Sequence, residues 1–371
     1  MLPTRRYLDI HILQTVPPSN LNRDGDGMPK TARYGGKDRA RVSSQSWKRA
    51  TRKQFRQDEQ GIRSKLLAEA IADSLHARHS YPDQDAALTA AKTGLAAAGI
   101  GGGKKTKAPT GELGYLLLFG HDLADKMADA IIAGDLTDKA AKQLIADADM
   151  PLALALFGRM VADDKHLSVD ASCQVAHALS THEVSTELDY FTAVDDLNTA
   201  DAGAGMIGDI GFNSATLYRY ATVNLDALQA NLGGPPAAAD AAHGAVEFLR
   251  CFAESMPTGY ANSFANHTLP SVVAVSYRTD RPVNLVGAFE AAVTAADSGY
   301  LETSATRLAA EARAVEAMFG PAERSFLAHR VDHAGADLAA AFGQPTPFPQ
   351  LLDAVRDHLT NTSTAPLPAN A

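Results

Sequence analysis

The chain has 371 residues, of which 46% are hydrophobic and 21% are charged, and its formal net charge is -9. This length allows two or three compact units, and the composition is that of an ordinary globular protein. No apolar run approaches the roughly 18 residues of a membrane helix, and polar residues interrupt residues 1–14, so neither a membrane span nor a signal peptide is predicted. The two cysteines, Cys173 and Cys251, exclude a disulfide framework and indicate a reducing cytoplasm.

The net charge conceals an asymmetry along the chain. Residues 1–65 hold 15 lysines and arginines against 6 aspartates and glutamates, a net charge of +9, and the remainder carries -18. The acidic total argues against indiscriminate binding of polyanions, whereas the local excess of positive charge favours one defined anionic partner surface. A solvated charged helix is the alternative interpretation.

The basic segment contains the first predicted elements. Residues 6–13 alternate polar and apolar side chains, which predicts a strand with one buried face. Residues 16–36 are rich in Pro, Gly, Asn and Asp, which predicts an irregular loop. From Ser44 to about Gln57 a helix is predicted, with Ser43 or Ser44 as its N-cap.

The middle of the chain is predicted to be helical. Helical patterns cover residues 62–98 with a break at 79–82, and then 113–134, 137–147 and 151–162. The glycine-rich basic segment Gly99–Glu112 is predicted to be a surface loop that makes at most loose contact with nucleic acid. It fails the phosphate-loop pattern, because Ala98 replaces a required glycine and Lys105 replaces the Ser or Thr.

The last part of the chain mixes strands and helices. Strands are predicted over 181–194, 216–225 and 269–279; a glycine-rich excursion over 198–214; helices over 235–256, 284–296 and 302–319; and a disordered tail over 360–371. Strand and helix at the front, with strands and helices after a helical insertion, predict an α+β fold with a split βαβ plan.

The predicted basic helix has a spacing suited to phosphates. Lys48, Arg52 and Arg56 are four residues apart and share one face, with Arg49 and Lys53 beside them. Like charges at this spacing repel each other, so the cluster is better explained with a bound anion.

The surroundings of the cluster support this interpretation. The opposite side of the helix carries the apolar series Trp47, Thr51 and Phe55. Donors suited to phosphate oxygens lie at the helix start and just before it: Arg39, Arg41, Ser43, Ser44 and Gln45. The preceding Gly35–Gly36 pair permits close approach of the backbone.

Catalytic and metal-binding groups are not evident in the sequence. Asp195 and Asp196 lack a third metal ligand, His177 and His182 lack zinc spacing, and neither cysteine belongs to a partner motif. No nucleophile elbow is present. No cofactor, metal or catalytic residue is predicted.

Several ordered sequence blocks identify a family resemblance. They are SNLNRD at 19–24, YGGK at 34–37, RVSSQSWKRATRK at 41–53, ALFGRM at 155–160, AHALSTHEVSTELDYFTAVDDL at 176–197 and LYRYATVNLDALQANLGG at 217–234. They resemble the type I-E CRISPR Cascade backbone subunit, the CasC family. The likeness covers residues 7 to about 300 and is weakest in the helical insertion.

The resemblance implies a hand-shaped, non-catalytic subunit. Its RRM-like (ferredoxin-like) palm would comprise residues 1–60 and 151–371, a helical finger insertion 61–150, and a β-hairpin thumb 181–216. Copies would stack head to tail along one CRISPR RNA beside other Cascade subunits. Pairing of the guide with target DNA would supply the specificity.

The resemblance also implies which residues contact RNA. Backbone contacts fall on Arg23, Lys30, Lys37, Ser43, Ser44, Gln45, Lys48, Arg49 and Arg52, and contacts near the bases fall on Met160, Phe191, Val194, Met206 and Ile207. Without the family, Met160 and Phe191 would be interpreted as ordinary core residues. Candidates for contact with target DNA are Lys104, Lys105, Lys107, Lys139 and Lys142.

A second hypothesis belongs to a different class. Distant relatives with similar folds cut bound RNA with an acidic loop residue. A metal-dependent ribonuclease acting on target RNA would here use Asp195, Asp196 or Asp209.

Overall fold

A computed structural model describes residues 5–100, 112–113, 116–161, 167–193 and 206–363. The strands are β1 (Tyr7–Ser19), β2 (Thr31–Tyr34), β3 (Lys37–Val42), β4 (Ile62–Ser64), β5 (Leu117–Phe119), β6 (Cys173–Val175), β7 (Ala178–Ser180), β8 (Glu187–Ala193), β9 (Met206–Asn224), β10 (Val272–Arg278) and β11 (Arg324–His329). Within the described residues no helix is both long enough and apolar enough to cross a membrane.

The helices vary widely in length. They are α1 (Ser44–Gln54), α2 (Gln57–Gln60), α3 (Leu67–Arg78), α4 (Gln84–Ala97), α5 (Leu123–Ala133), α6 (Asp138–Ala146), α7 (Leu152–Phe157), α8 (Leu225–Asn231), α9 (Ala238–Glu254), α10 (Ala261–Phe264), α11 (Leu301–Phe319), α12 (Gly335–Phe342) and α13 (Phe348–Ser363). Short 3-10 helices lie at Pro235–Ala237 and Leu285–Phe289.

The chain divides into two compact units. Unit 1 comprises Met1–Gln54, Cys173–Asp226 and Pro236–Ala371. Unit 2 comprises Phe55–Ser172 and Ala227–Pro235. Residues 55–60, 151–172 and 227–235, which were predicted to belong to the palm, therefore group with the second unit.

Unit 1 is built on a large antiparallel sheet. Its strand order is β11-β10-β1-β9-β7-β3-β2, and β6 and β8 also pair with β9. The central strand β1 runs antiparallel to both β9 and β10, with Ile10 opposite Ala221 on one side and Val275 on the other. The sequence predicted an α+β fold, and the combination of helices with a large antiparallel sheet is confirmed.

Both faces of β1 are covered, whereas the sequence predicted one buried face. Successive side chains of a strand point to opposite faces. On one face, His11 lies against Phe342 of α12. On the other face, Gln14 reaches Arg219, which contacts Trp47 of α1. Polar side chains of β1 such as His11 and Gln14 are therefore buried in contact with other side chains rather than exposed to solvent.

A polar network accounts for this burial. The Tyr220 hydroxyl donates to Asp9 Oδ1 at 2.9 Å, and the Val283 amide donates to Asp9 Oδ2 at 2.8 Å. His11 Nδ1 lies 2.9 Å from the Tyr218 hydroxyl, which also accepts from the Leu285 amide at 3.1 Å. Buried polar groups are stable only when they are paired, and this pairing fixes the segment that begins at Val283 to the sheet.

Unit 2 is mainly helical. Its apolar core combines residues of α3, α4 and α5, among them Ile71, Ala91 and Met127. The short strands β4 and β5 pair antiparallel beside these helices. The predicted helix over 113–134 is thus wrong at its start, where Leu117–Phe119 is a buried strand.

Other predicted boundaries also required correction. The loop predicted over 16–36 contains the end of β1 and all of β2, which pairs with β3 in a hairpin. The glycine-rich excursion predicted over 198–214 contains the first half of β9. The helix predicted over 284–296 reduces to the 3-10 helix, and α13 extends into the predicted tail as far as Ser363.

Candidate nucleic-acid interface

Helix α1 begins with a complete cap. Ser43 Oγ accepts from the Ser46 amide at 3.3 Å, and the Ser43 carbonyl accepts from the Trp47 amide at 3.2 Å. Asn22 Oδ1 accepts from the amide of Ser43 at 2.9 Å. The predicted N-cap is confirmed, and the cap leaves Ser44 and Gln45 on the first turn, where amide groups and the helix dipole favour an anion.

The apolar side of α1 is anchored in unit 1. Trp47 and Thr51 are fully buried, as predicted. The guanidinium of Arg219 stacks 3.6 Å from the Trp47 ring, donates to Gln14 Oε1 at 2.5 Å and donates to the Phe252 carbonyl. Burial lowers the pKa of Arg219 to about 9, so the group is still protonated at neutral pH. The cation–π contact fixes the helix against the sheet.

Sequence reasoning missed Arg219. A signal for it exists, because the segment TLYRYATVNL places one arginine in an otherwise buried strand. A cation in such a strand needs stacking or carbonyl partners to be stable.

The cations of α1 share one broad face, directed away from Trp47 and Thr51, and occupy two flanks of it. Consecutive residues are about 100° apart around an α-helix. With Trp47 and Thr51 turned inward, Lys48 and Arg52 lie on one flank and are half-buried, whereas Arg49 and Lys53 lie on the other and are exposed. A phosphate chain passing this helix therefore meets two adjacent rows of cations.

Arg56 does not belong to the cluster, contrary to the prediction. Helix α1 ends at Gln54, and Arg56 lies in unit 2. Its guanidinium lies 3.4 Å from Asp58 and 3.2 Å from Glu59. The residue starts a new short helix, so the four-residue spacing no longer places it above Arg52.

Arg39 is also misassigned as an RNA contact. Its side chain is fully buried, and its guanidinium donates to the carbonyls of Ser180, Phe289 and Glu290 at 2.9–3.1 Å. Arg41, two residues further along β3, is half-buried and donates to the Thr31 carbonyl at 3.2 Å. The partners around each side chain therefore give the two arginines different roles.

The remaining predicted backbone contacts lie near the strand hairpin and its preceding loop. Arg23 and Lys37 are exposed, and Lys30 is half-buried. Lys37 pairs with Glu183 at 2.9 Å. Burial first, and then the charges of Arg41 and Lys30, lower the pKa of His177, which indicates a positive potential at this edge of the sheet.

The antiparallel strands β8 and β9 carry the base-proximal residues of unit 1 that were predicted and are described. Phe191 is half-buried opposite Gly208, where an added Cβ would lie 2.7 Å from the ring. The side chain of Ile207 is 59% exposed, as is expected for a residue that has no local core. Val194 lies outside the described residues, and of Met206 only the backbone position in β9 is described.

In unit 2, Met160 follows Arg159 in an exposed position. Its side chain is 85% exposed, so its interpretation as a core residue is wrong. Lys139 is exposed on α6, and Lys142 pairs with Asp138 at 3.1 Å. Lys104, Lys105 and Lys107 lie outside the described residues.

The histidine, cysteine and aspartate residues that could serve in catalysis have the following surroundings. His182 Nε2 accepts from the Thr216 amide at 3.1 Å, and burial lowers its pKa. Burial raises the pKa of the Cys173 thiol to about 12. Asp209 is exposed on β9, and Asp195 and Asp196 lie outside the described residues. Among described residues, no group of three or more His, Cys, Asp or Glu side chains is placed to hold a metal ion.

The chain combines a unit built on an antiparallel sheet with a capped cationic helix, and two solved structures are similar to it over most of its length. One chain of a structure described as "CRISPR RNA-guided surveillance complex, pre-nicking" is 33% identical, with a TM-score of 0.82 over 95% of this chain and 100% of that one. A chain of a "CRISPR RNA-guided surveillance complex" is 30% identical, with a TM-score of 0.63 over 95% of this chain and 99% of that one.

The chain belongs to the CT1975-like protein family, because the model of that family matches residues 8–354. The comparison with curated proteins gave no match. Together with the two solved chains, the family match confirms the resemblance to a Cascade subunit.

Proposed function

We propose that this chain is a non-catalytic RNA-binding backbone subunit of a CRISPR surveillance complex in antiviral defence. The observation that carries the proposal is the capped helix α1, with Lys48, Arg49, Arg52 and Lys53 around it, in a chain that is 33% identical to a surveillance-complex chain over 95% of its length. Cations beside a helix N-terminus suit a phosphate backbone.

The parts of the molecule have distinct roles in this proposal. Unit 1 is an RRM-like palm, the helices of unit 2 are fingers, and the β8–β9 hairpin is a thumb. The guide RNA lies along α1 and the edge of β3. Its proposed contacts are Arg23, Lys30, Lys37, Arg41, Ser43, Ser44, Gln45, Lys48, Arg49, Arg52, Met160, Phe191, Val194, Met206 and Ile207.

Recognition by this route does not depend on sequence. Phosphate contacts position an RNA without reading its bases, so the guide is free to pair with target DNA. Exposed Lys139 and its neighbour Lys142 are the proposed DNA contacts of unit 2. Further copies bind head to tail along the guide in the cytoplasm, beside other subunits of the complex.

The test is the salt dependence of RNA binding. About five neutralised phosphates give a log–log slope of roughly −3.5 for a single strand, at about 0.7 per phosphate. Replacing Lys48, Arg49 and Arg52 together by Ala should reduce this slope by about 2 for RNAs of any sequence. Fluorescence anisotropy over a series of salt concentrations measures both quantities.

A matched control removes the same charge elsewhere in unit 1. Arg281, Arg313 and Arg356 are exposed, and the ion pairs of Arg281 and Arg356 are surface pairs that contribute little. Their joint replacement by Ala should leave the slope unchanged. Equal slopes for the two triple variants, with both proteins folded, would refute the proposal.

The non-catalytic role has its own test. Assembled protein is incubated with guide, paired target RNA and Mg²⁺, and the products are separated on a denaturing gel. We expect intact RNA. Cleavage that disappears in Asp195→Ala, Asp196→Ala or Asp209→Ala would establish a metal-dependent ribonuclease in its place.

A further inference from the structure

The exposed flank of α1 forms one wall of an open cleft within unit 1, with a volume of about 570 Å³. Arg49 and Lys53 line it from the helix, and Arg23 lines it from the loop before β2. Tyr260, directly before α10, lies on the facing segment. The cleft thus brings three cations and one aromatic ring together, and the sequence patterns did not indicate Tyr260.

The backbone around Tyr260 is strained and tightly held. Tyr260 has φ 46° and ψ 28°, in the left-handed region that non-glycine residues rarely adopt. At Gly259 an added Cβ would lie 2.4 Å from the carbonyl oxygens of both Asn20 and Leu21. Strain of this kind persists only where the surroundings enforce it, and it is concentrated at functional positions.

The ring of Tyr260 is fixed as well as its backbone. The guanidinium of Arg23 lies 4.9 Å from the ring centroid, and Phe264 packs edge-on at 6.4 Å. The side chain is half-buried. The fixed ring of Tyr260 offers a surface on which a base can stack, and the neighbouring cations can bind a phosphate. Proteins that bind single-stranded nucleic acid combine these two contacts.

We infer that this cleft binds one nucleotide of single-stranded RNA, with its phosphate on Arg49 and Lys53 and its base or ribose on Tyr260. The inference rests on the proposed function and deepens it. Arg49 and Lys53 line the cleft, whereas Lys48 and Arg52 do not, so the nucleotide inferred here lies on the exposed flank of α1.

The chemistry of the cleft favours RNA over an acidic peptide. The carboxylates of an acidic peptide would contact only the cations of the cleft. An RNA base can also stack on the ring of Tyr260, which every base is able to do. Asp24, the acidic residue of the lining, accepts from the amides of Asp26 and Met28 at 2.9 and 3.0 Å. Its Oδ1 atom is therefore engaged within its own turn.

Substitutions in the full-length chain separate the contribution of the Tyr260 ring to RNA binding from that of the Lys53 charge. Tyr260→Leu should weaken binding of a single-stranded RNA about 5- to 100-fold without changing the salt slope, whereas Tyr260→Phe retains affinity. Lys53→Gln should reduce the slope by about 0.7. Phe319→Leu, which removes an exposed ring from α11, is the matched control and should bind as the unmodified chain does.

The outcomes distinguish this inference from the proposed function. If the unmodified chain binds RNA and neither Tyr260→Leu nor Lys53→Gln changes the affinity or the salt slope, the cleft is not an RNA site. The proposed function is then unaffected. Absence of RNA binding by the unmodified chain overturns both. A polyglutamate peptide that binds in a Tyr260-dependent manner and displaces RNA overturns the assignment to RNA.

A measurement on the unmodified chain covers the case in which Tyr260→Leu does not fold. Ultraviolet crosslinking to RNA, followed by mass spectrometry, should place a crosslink on the peptide that contains Tyr260. Crosslinks confined to other peptides would overturn the inference.

Discussion

Two arginines in one strand show how the environment of a side chain decides its role. Arg39 and Arg41 have the same charge and lie two residues apart in β3. Arg39 is enclosed and satisfies three carbonyl groups, whereas Arg41 donates to the Thr31 carbonyl at 3.2 Å and remains partly accessible. Only the second can offer its charge to a ligand.

The first prediction concerns Arg39. Replacement by Ala leaves the carbonyls of Ser180, Phe289 and Glu290 without their donors in a buried setting. We expect the free energy of unfolding to fall by about 2–5 kcal/mol. Denaturant titration followed by circular dichroism measures it. Exposed Arg33→Ala in β2 is the control, and an equal small loss in both variants would contradict the role assigned to Arg39.

Two buried titratable groups in β1 respond to acid in opposite directions. Burial lowers the pKa of His11 from 6.5 to about 3, so below pH 6.5 the unfolded chain takes up a proton that the native chain does not. Burial raises the pKa of Asp9 from 3.8 to about 6, so below pH 6 the native chain takes up the extra proton. Acid therefore destabilises the native chain through His11 and stabilises it through Asp9.

The second prediction follows from this opposition. Asp9→Asn removes the group through which acid stabilises the native chain, and it leaves His11, through which acid destabilises it. Relative to the unmodified chain, the free energy of unfolding of Asp9→Asn should therefore decrease by about 2 kcal/mol between pH 6.5 and 4.5. Urea titrations at several pH values measure this difference. Asp353→Asn, at an exposed carboxylate, is the control, and a pH-independent difference for Asp9→Asn would be contrary to expectation.

At the residue scale, the sequence predicted what local spacing determines. The preference of serine for the N-cap indicated Ser43 or Ser44, and helix periodicity indicated the inward Trp47 and Thr51. The burial of Arg39 and Arg219 could not be predicted, because it depends on carbonyls and rings supplied by strands and loops distant in the chain. The same holds for Tyr260, whose neighbours come from the N-terminal loop.

At the scale of elements, the β2–β3 hairpin depends on a glycine. Gly35 has φ 57°, and a Cβ there would lie 1.7 Å from the Glu290 carbonyl oxygen. The Tyr34 hydroxyl donates to the Val286 carbonyl at 3.3 Å, so the hairpin is docked on the segment that follows Val283. The loop predicted over 16–36 is wrong because short strands lie between its turn-forming residues and pair with strands outside the segment.

The third prediction compares the two glycines of this turn. Gly36 has φ 76° and open space around its Cα, so Gly36→Ala introduces only the left-handed strain of about 1–2 kcal/mol. Gly35→Ala adds a clash with backbone and should lower the free energy of unfolding by at least about 1 kcal/mol more. Thermal unfolding compares the two variants. Equal losses would show that the hairpin is not docked at Glu290.

Strand β9 illustrates a second limit of sequence reasoning. Glycines at Gly208 and Gly211 predicted an irregular excursion, yet both lie in the strand. The ring of Phe191 covers Gly208, and Met28 lies where a Cβ of Gly211 would be. Each glycine makes room for a side chain from elsewhere, which a local pattern does not reveal.

At the scale of the whole molecule, charge is partitioned. Residues 1–65 carry +9 within a chain of net charge -9. A local cationic surface on an acidic body attracts a polyanion to one surface and repels it elsewhere. This partition is consistent with the proposed binding along α1, and it implies that successive copies on one RNA present the same surface to it.

The last prediction is therefore that the number of bound copies rises in steps with RNA length. Native mass spectrometry on the unmodified chain with RNAs of increasing length should show one further copy for each constant increment, because a heterologous contact repeats without closing. The triple variant of Lys48, Arg49 and Arg52 is the control and should bind fewer copies at each length, since each copy loses phosphate contacts. A single copy on every RNA, whatever its length, would remove the backbone role and leave a monomeric RNA-binding protein.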